Sequence, residues 1–349
     1  MDAGREDPPD RGRDQPDPAG DHLADAGDGD GVRDKGSKGR RKEMPKVELA
    51  GRGTVAYRWT GEGPETVVLI NGSVFNYHQW DRQALPILRR GLGNRCRFLQ
   101  YDYVGVGGSS AKTAPFRMLD LADELRDLLD ALSVDRVHLL GISKGSLVGQ
   151  AFLIKHRERV KSFCGLGNPY LLSDSARQVF AIFQQRLDAL EELKDLWPQR
   201  IDRHNYARIF NHVYVPAIFF KRYEDLSPLE RLRAALVRRM VYPAMEGTFI
   251  QTMVDLFRYY VEGIMEEVPA FAEGLPKVEG VPILLLNGTA DTTTPIQMSR
   301  ELVRVLRGAE LVEFDGVTHM GPMLLKKEAQ PVFGRYVAFL KRILDQETR

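Results

Sequence analysis

The chain has 349 residues, 43% hydrophobic and 28% charged, with a formal net charge of +1. That balance argues against a strongly basic nucleic-acid or membrane surface. No apolar run reaches the length of a bilayer span, and the N-terminus lacks the apolar core of a signal peptide. The length allows one large domain or two small ones. Cys96 and Cys164, the only cysteines, lie in apolar strand-like runs; two reduced, buried thiols in a cytoplasmic protein are expected.

In chain order, residues 1–44 are dominated by Asp, Gly, Arg and Pro, with Leu23 and Val32 the only large aliphatics. Such a segment buries too little apolar surface to offset the entropy of ordering, so a disordered tail is expected. It turns basic at Lys35, Lys38, Arg40, Arg41 and Lys42. A partner-binding arm, or an upstream start with Met44 as the true first residue, are the other readings. Folded sequence begins at Pro45. Val47–Leu49, Thr54–Thr60 and Thr66–Ile70 read as strands between Gly-rich turns, Gln79–Arg90 as a helix and Arg97–Tyr101 as a strand. Met118, Leu121, Ala122, Leu125, Leu128, Leu129 and Leu132 share one helical stripe. A strand at Val137–Leu140, a helix at Ser146–Lys155 and a strand at Val160–Leu166 follow. Alternation stops over 174–274, where helix formers, aromatics and arginines predict a helical insertion. It resumes with a strand at Val281–Leu286, a helix at Ile296–Leu306, a strand at Glu310–Glu313 and a helix at Lys327–Leu344. This order predicts an α/β fold, a mostly parallel sheet with helices on both faces. Residues 45–173 and 275–349 form its core, and 174–274 a cap over an active site.

The stretch from Leu139 to Ser146 carries the chemistry. A strand leads into Gly141-x-Ser143-x-Gly145 and then a helix, the layout of a nucleophile elbow, whose tight turn needs small residues on both sides of the serine. A chance match in a loop is the competing reading. A serine hydroxyl becomes a nucleophile only when a base takes its proton and a third group orients that base. Of seven histidines, His22 lies in the tail, His138 inside the elbow strand, His156 at the end of the elbow helix, and His204 and His212 in the helical block; His78 could line a pocket. His319 directly follows a late strand, where parallel sheets present catalytic groups, and is the expected base. Asp291, just past the strand ending at Leu286, is the expected acid. Its alternative role, capping the helix near Ile296, suits Thr294 better, because Thr294 directly precedes Pro295. The oxyanion needs two backbone N–H groups. Lys144 supplies one and Ser73 the other, with Gly72 allowing close approach.

With these residues in place, the chain resembles the α/β-hydrolase superfamily from Pro45 to its C-terminus. The motifs are the elbow at Gly141 to Gly145, D-x-x-G-x-G-x-S at Asp102 to Ser109, G-x-x-D at Gly288 to Asp291 and G-x-x-H at Gly316 to His319. The resemblance implies that Asp102 braces a turn beside the site and that 174–274 is a cap domain. Asn71-Gly72-Ser73 and Thr293-Thr294 are similar to a branch of hydroxyacyl transacylases and hydroxyalkanoate ester synthases, although that branch carries Trp-Gly after the serine where this chain has Lys144-Gly145. Lys144 reads either as a cation for an anionic substrate group or, in preference, as a side chain pointing out of the site and salt-bridged to the cap. Arg231, Arg233, Arg238 and Arg239 read as a solvated helix face rather than a phosphate site. Phe210, Tyr214, Phe219, Phe220, Phe257, Tyr259 and Tyr260 read as core before pocket, consistent at most with an apolar acyl chain. The expectation is a serine hydrolase acting on a small acyl substrate. Acyl transfer to an alcohol or thiol is the first alternative, and a non-catalytic binding module the second. No metal-ligand cluster or dinucleotide motif is present, since Gly105 to Ser109 has neither Rossmann nor P-loop spacing, so no cofactor is expected. Oligomeric state is not encoded legibly.

Overall fold

The computed structural model describes residues 44–112 and 115–347, so the expected tail lies outside the described residues except for Met44. An eight-stranded sheet has the order β1-β2-β4-β3-β5-β6-β7-β8. Its strands are β1 (Lys46–Leu49), β2 (Gly53–Thr60), β3 (Glu65–Ile70), β4 (Cys96–Asp102), β5 (Val137–Ile142), β6 (Val160–Leu166), β7 (Ile283–Gly288) and β8 (Glu310–Phe314). β1 and β2 run antiparallel to their neighbours and every other ladder is parallel. The expected mostly parallel sheet is therefore observed. All six residues of β5 are buried, as a strand covered on both faces requires. Its side chains alternate between two cores, Val137 and Leu139 on one face and Leu140 and Ile142 on the other.

Helices α1 (Ala84–Leu92), α2 (Met118–Ala131) and α3 (Lys144–Lys155) belong to the core. The expected helix at Gln79–Arg90 is not continuous: a 3₁₀ turn at Tyr77–Trp80 precedes α1. Pro86 gives the reason. A helix running from Gln79 would have Pro86 in its interior, where it removes a hydrogen bond and clashes with the preceding turn. Starting at Ala84 places Pro86 in the first turn, where its missing N–H has no intrahelical partner to lose. The indole of Trp80 is instead fixed by Asn71 Oδ1 at 2.7 Å.

Between β6 and β7 lie α4 (Ala176–Glu191), α5 (Tyr206–Ile209), α6 (Val215–Phe219), α7 (Pro228–Met245), α8 (Ile250–Arg258) and α9 (Val268–Gly274). Phe210–Tyr214 and Tyr259–Gly263 are π-helical turns, joining α5 to α6 and extending α8. The insertion is tied to the core by backbone groups. Asn76 donates its N–H to Ala244 (2.6 Å) and its side-chain amide to Pro243 (3.0 Å) and Glu246 (2.9 Å). Arg200 donates to the carbonyls of Gly107 and Gly247 at 2.7 and 2.8 Å. Helices α10 (Ile296–Val305), α11 (Gly321–Leu324) and α12 (Lys326–Glu347) complete the described fold. Among the described residues no helix is long and apolar enough to cross a membrane.

Candidate active site

The elbow places Ser143 between β5 and α3 at φ 54° and ψ −118°, a backbone region costly for a residue with a Cβ. Gly141 and Gly145 are required by space rather than by φ. A Cβ on Gly145 would lie 2.0 Å from the Ile70 carbonyl oxygen, and one on Gly141 would lie 2.3 Å from that of Gly145. Lys144 opens α3, so its N–H has no intrahelical acceptor and remains free to meet a ligand. Ser73 lines the same cavity as Ser143. The N–H of Gly72 is occupied, donating to Gln79 Oε1 at 2.8 Å. Asp102 is fully buried and accepts from the N–H groups of Tyr77 (2.7 Å) and Gly108 (2.9 Å), bracing the turns on both sides. Burial raises its carboxyl to about 6.

On the same sheet edge, His319 Nδ1 lies 2.7 Å from Asp291 Oδ2. The loop after β7 folds its amides onto that carboxylate: Thr293 and Thr294 N–H donate to Oδ1 at 2.9 and 2.7 Å. The Thr294 hydroxyl donates to Oδ2 at 2.8 Å and sits 3.2 Å from His319 Nδ1. Thr294 therefore does not cap α10, whose N-cap is Pro295 without a side-chain bond. Its hydroxyl goes to the acid instead. Gly167, at φ +59°, packs against this pair, and a Cβ there would lie 3.1 Å from Thr294 Oγ1, 3.2 Å from His319 Cε1 and 3.3 Å from Asp291 Oδ2. Asn168 holds that turn from behind, donating to the Leu286 carbonyl and Ser299 Oγ at 3.2 and 3.0 Å. Sequence reasoning missed Gly167 and misassigned Thr294. The left-handed φ is the demand for glycine at 167, but in sequence it looks like any turn glycine.

The other described histidines are engaged elsewhere. His78 pairs with Asp81 (2.7 Å), His156 with Asp123 (2.9 Å), His204 with Asp202 (3.6 Å) and His212 with Glu192 (2.7 Å). His138 is bonded to Ser162 (2.8 Å).

The Lys144 side chain does not reach the cap. It is buried, with Nζ 3.1 Å from the centroid of the Tyr103 ring. Burial holds its ammonium well below the usual lysine range, and the neighbouring Glu124 opposes that shift. Among the described residues no cap carboxylate pairs with it, and the ammonium lies over the Tyr103 ring instead. Arg231, Arg233 and Arg239 are exposed, as a solvated helix face requires. Cys96 and Cys164 are buried free thiols, and burial pushes Cys96 up to about 12.

A cavity of about 510 Å³ joins Ser143, His319 and Ser73 to the insertion. Phe210, Tyr214, Phe220 and Phe257 line it; Phe210 and Phe257 are also buried core residues, as are Tyr259 and Tyr260, so core and cavity wall share these rings, while Phe220 is exposed. Arg186 of α4 lines it too, with its guanidinium carbon 5.4 and 5.8 Å from the ring centroids of Phe183 and Tyr214. Such ring contacts contribute roughly 0.5–2 kcal/mol, whereas removing an ion from water costs several kcal/mol. The rings do not compensate the charge.

The α/β-hydrolase fold family profile matches residues 65–324. The 2-hydroxy-6-oxononadienedioate/2-hydroxy-6-oxononatrienedioate hydrolase of Paraburkholderia xenovorans is 31% identical over 270 residues, covering 75% of this chain and 83% of that protein. RutD of Pantoea ananatis, provisionally described as a carbamate hydrolase, is 31% identical over 119 residues, and the chain spans only 42% of its length. A solved hydrolase from Pseudomonas aeruginosa superposes with a TM-score of 0.63 at 23% identity, covering 86% of this chain and 99% of that one. By its own fold and by these relatives, the chain belongs to the α/β-hydrolase family and is an enzyme of that fold.

Proposed function

We propose that the protein is a serine hydrolase that cleaves a carboxylic ester or related acyl compound. The supporting observation is the strained Ser143, which shares a cavity with a His319 whose Nδ1 is held by Asp291. In the proposed reaction Ser143 Oγ attacks the acyl carbon and His319 Nε2 takes the hydroxyl proton. Asp291 keeps the remaining ring proton on Nδ1 and balances the imidazolium. The N–H groups of Ser73 and Lys144 receive the oxyanion. Collapse breaks the bond to the leaving group, which leaves with the proton from His319. Water then repeats the sequence on the acyl-enzyme, releasing the acid and restoring Ser143.

In this reading residues 174–274 act as a cap that supplies the apolar walls of the cavity, and the two buried thiols suit a cytoplasmic enzyme. Acyl-chain contacts fall to Phe210, Phe220 and Phe257. Hydrolysis as the reaction class is consistent with relatives named for hydrolysing an oxo-dienedioate and a carbamate.

A fluorophosphonate probe read by intact mass tests the assignment. The protein should gain one adduct and Ser143→Ala none, with kcat/KM on p-nitrophenyl esters falling about 10⁴-fold or more in that variant. Equal labelling of Ser143→Ala, or a folded wild-type protein inert to both reagents, would refute the nucleophile.

A further inference from the structure

The guanidinium of Arg186 has no carboxylate within ion-pair distance among the described residues, and its buried Nε has no hydrogen-bond partner. Beside it, Tyr214 presents a buried Oη that is also without a partner. Both residues line the cavity of Ser143, and among the described residues Arg186 is the only Lys, Arg, Asp or Glu on its wall. The two ring contacts lie near the ~6 Å limit at which a cation and an aromatic face still attract. Buried charges in folded proteins are paired, because an uncompensated one is strongly destabilising. Arg186 is half-buried, with its Nε enclosed and without a partner, so its fork presents to the cavity donors that the polypeptide does not satisfy. Burial also lowers the pKa of Arg186, and the neighbours opposing that shift are the phenols of Tyr214 and Tyr260 rather than an acid.

The chemistry of the pair defines the missing group. A guanidinium offers only donors, in a planar fork, and a phenol adds one more O–H. Two donors side by side match the two oxygens of a carboxylate. The charge count agrees, since one cation neutralises one monoanion. A phosphate dianion would keep a surplus charge, since the described residues place no second lysine or arginine on the wall.

We propose that the substrate carries a free carboxylate, which Arg186 and Tyr214 bind inside the cavity while its scissile carbonyl lies at Ser143. The substrate class is thus an acidic half-ester, or a related acyl compound ending in a carboxylate. This rests on the reading of Ser143 as nucleophile, but the binding step is measurable without it.

The test is calorimetric titration of Ser143→Ala with monomethyl half-esters of the C4 to C8 straight-chain dicarboxylic acids and with the matching neutral dimethyl esters. At least one half-ester should bind about tenfold or more tightly than its diester. In Ser143→Ala/Arg186→Met that ratio should fall to near one, and in Ser143→Ala/Tyr214→Phe, which removes a single hydroxyl, it should fall severalfold. Diesters binding as well as half-esters across the whole series would overturn the proposal. So would a carboxylate preference that survives both substitutions. Failure of Ser143 labelling by fluorophosphonate would sink the catalytic reading alone, since these titrations require no turnover.

Discussion

Among the described residues, a serine, a histidine and a carboxylate are brought together in two places. In one place His138 on β5 bonds Ser162 Oγ at 2.8 Å and lies 3.4 Å from the Glu65 carboxylate. In the other, His319 bonds Asp291 and opens on the cavity of Ser143. The residue types match, and the surroundings differ. His138 pairs in register with Ser162 across two adjacent strands and is fully buried. Its carboxylate already receives the Lys161 ammonium at 2.7 Å. Ser162 sits within β6, next to a register shift in the β5–β6 ladder, whereas Ser143 is held at a positive φ. The Asp291 carboxylate accepts four hydrogen bonds, from two amides, a hydroxyl and the imidazole. A strand interior can hold the three groups, but it offers no room for a substrate. The loops after β5, β7 and β8 supply both the groups and the room.

Three experiments would break or sharpen that contrast. The largest effect belongs to Asp291→Asn, which keeps the shape but favours the wrong ring tautomer. It should lower kcat/KM by about 10³–10⁴ with the fold intact, and a loss under tenfold would demote Asp291 to a loop-bracing residue. Next is Thr294→Val, which removes the hydroxyl bridging Asp291 and His319 and leaves both backbone N–H bonds. A hydrogen bond to a charged group is worth roughly 1.5–3 kcal/mol, so kcat should fall about 10- to 100-fold with KM little changed. An unaltered kcat would assign Thr294 to loop structure only.

The smallest effect concerns the enclosed histidine. Burial pushes His138 down to about 4, against roughly 6.5 when unfolded. The folded form therefore disfavours the proton, so this contribution to stability is complete above about pH 6.5 and is lost as pH falls towards 4. The charged groups facing it are Glu65, Lys161 and Arg136. Urea melts of wild type and His138→Gln should converge by about 2–3 kcal/mol between pH 7 and 4.5. Taking the difference cancels the opposite trend of Asp102, whose carboxyl is raised by burial. Activity at pH 7 should be retained, and a pH-independent difference would contradict the buried neutral imidazole.

The sheet was legible because its strands are apolar runs between turn residues, and β5 is apolar enough to be recognised as interior. The elbow was legible because the requirement for glycine at 141 and 145 is local. Asp291 and His319 were named from their positions after strands, without any knowledge of distance, and the structure brings the two side chains within 2.7 Å. The direction of the Lys144 side chain was not legible, since it depends on how a strained turn enters α3 and on the Tyr103 ring beneath it. The cavity was hidden for a related reason. Its aromatics fall on helices interrupted by π turns, where a 3.6-residue period no longer separates buried from open faces. Arg186 did leave a signal. Val179, Phe183, Leu187 and Leu190 form the buried stripe of α4, and Arg186 follows Phe183 by three residues, on the same side of the helix. A charge in an apolar stripe is the pattern to look for.

The π turns carry one further implication. A π turn is an α turn with one residue too many, and Phe210–Tyr214 and Tyr259–Gly263 each hold such a surplus in the wall of the insertion. Deleting one residue from either would let the helix regularise, re-facing the residues of the π turn itself while the flanking α turns keep their orientation. Tyr214 and Tyr260 would change facing without any change of identity. The lining of this cavity can therefore be remodelled by a change in chain length that no series of substitutions reproduces.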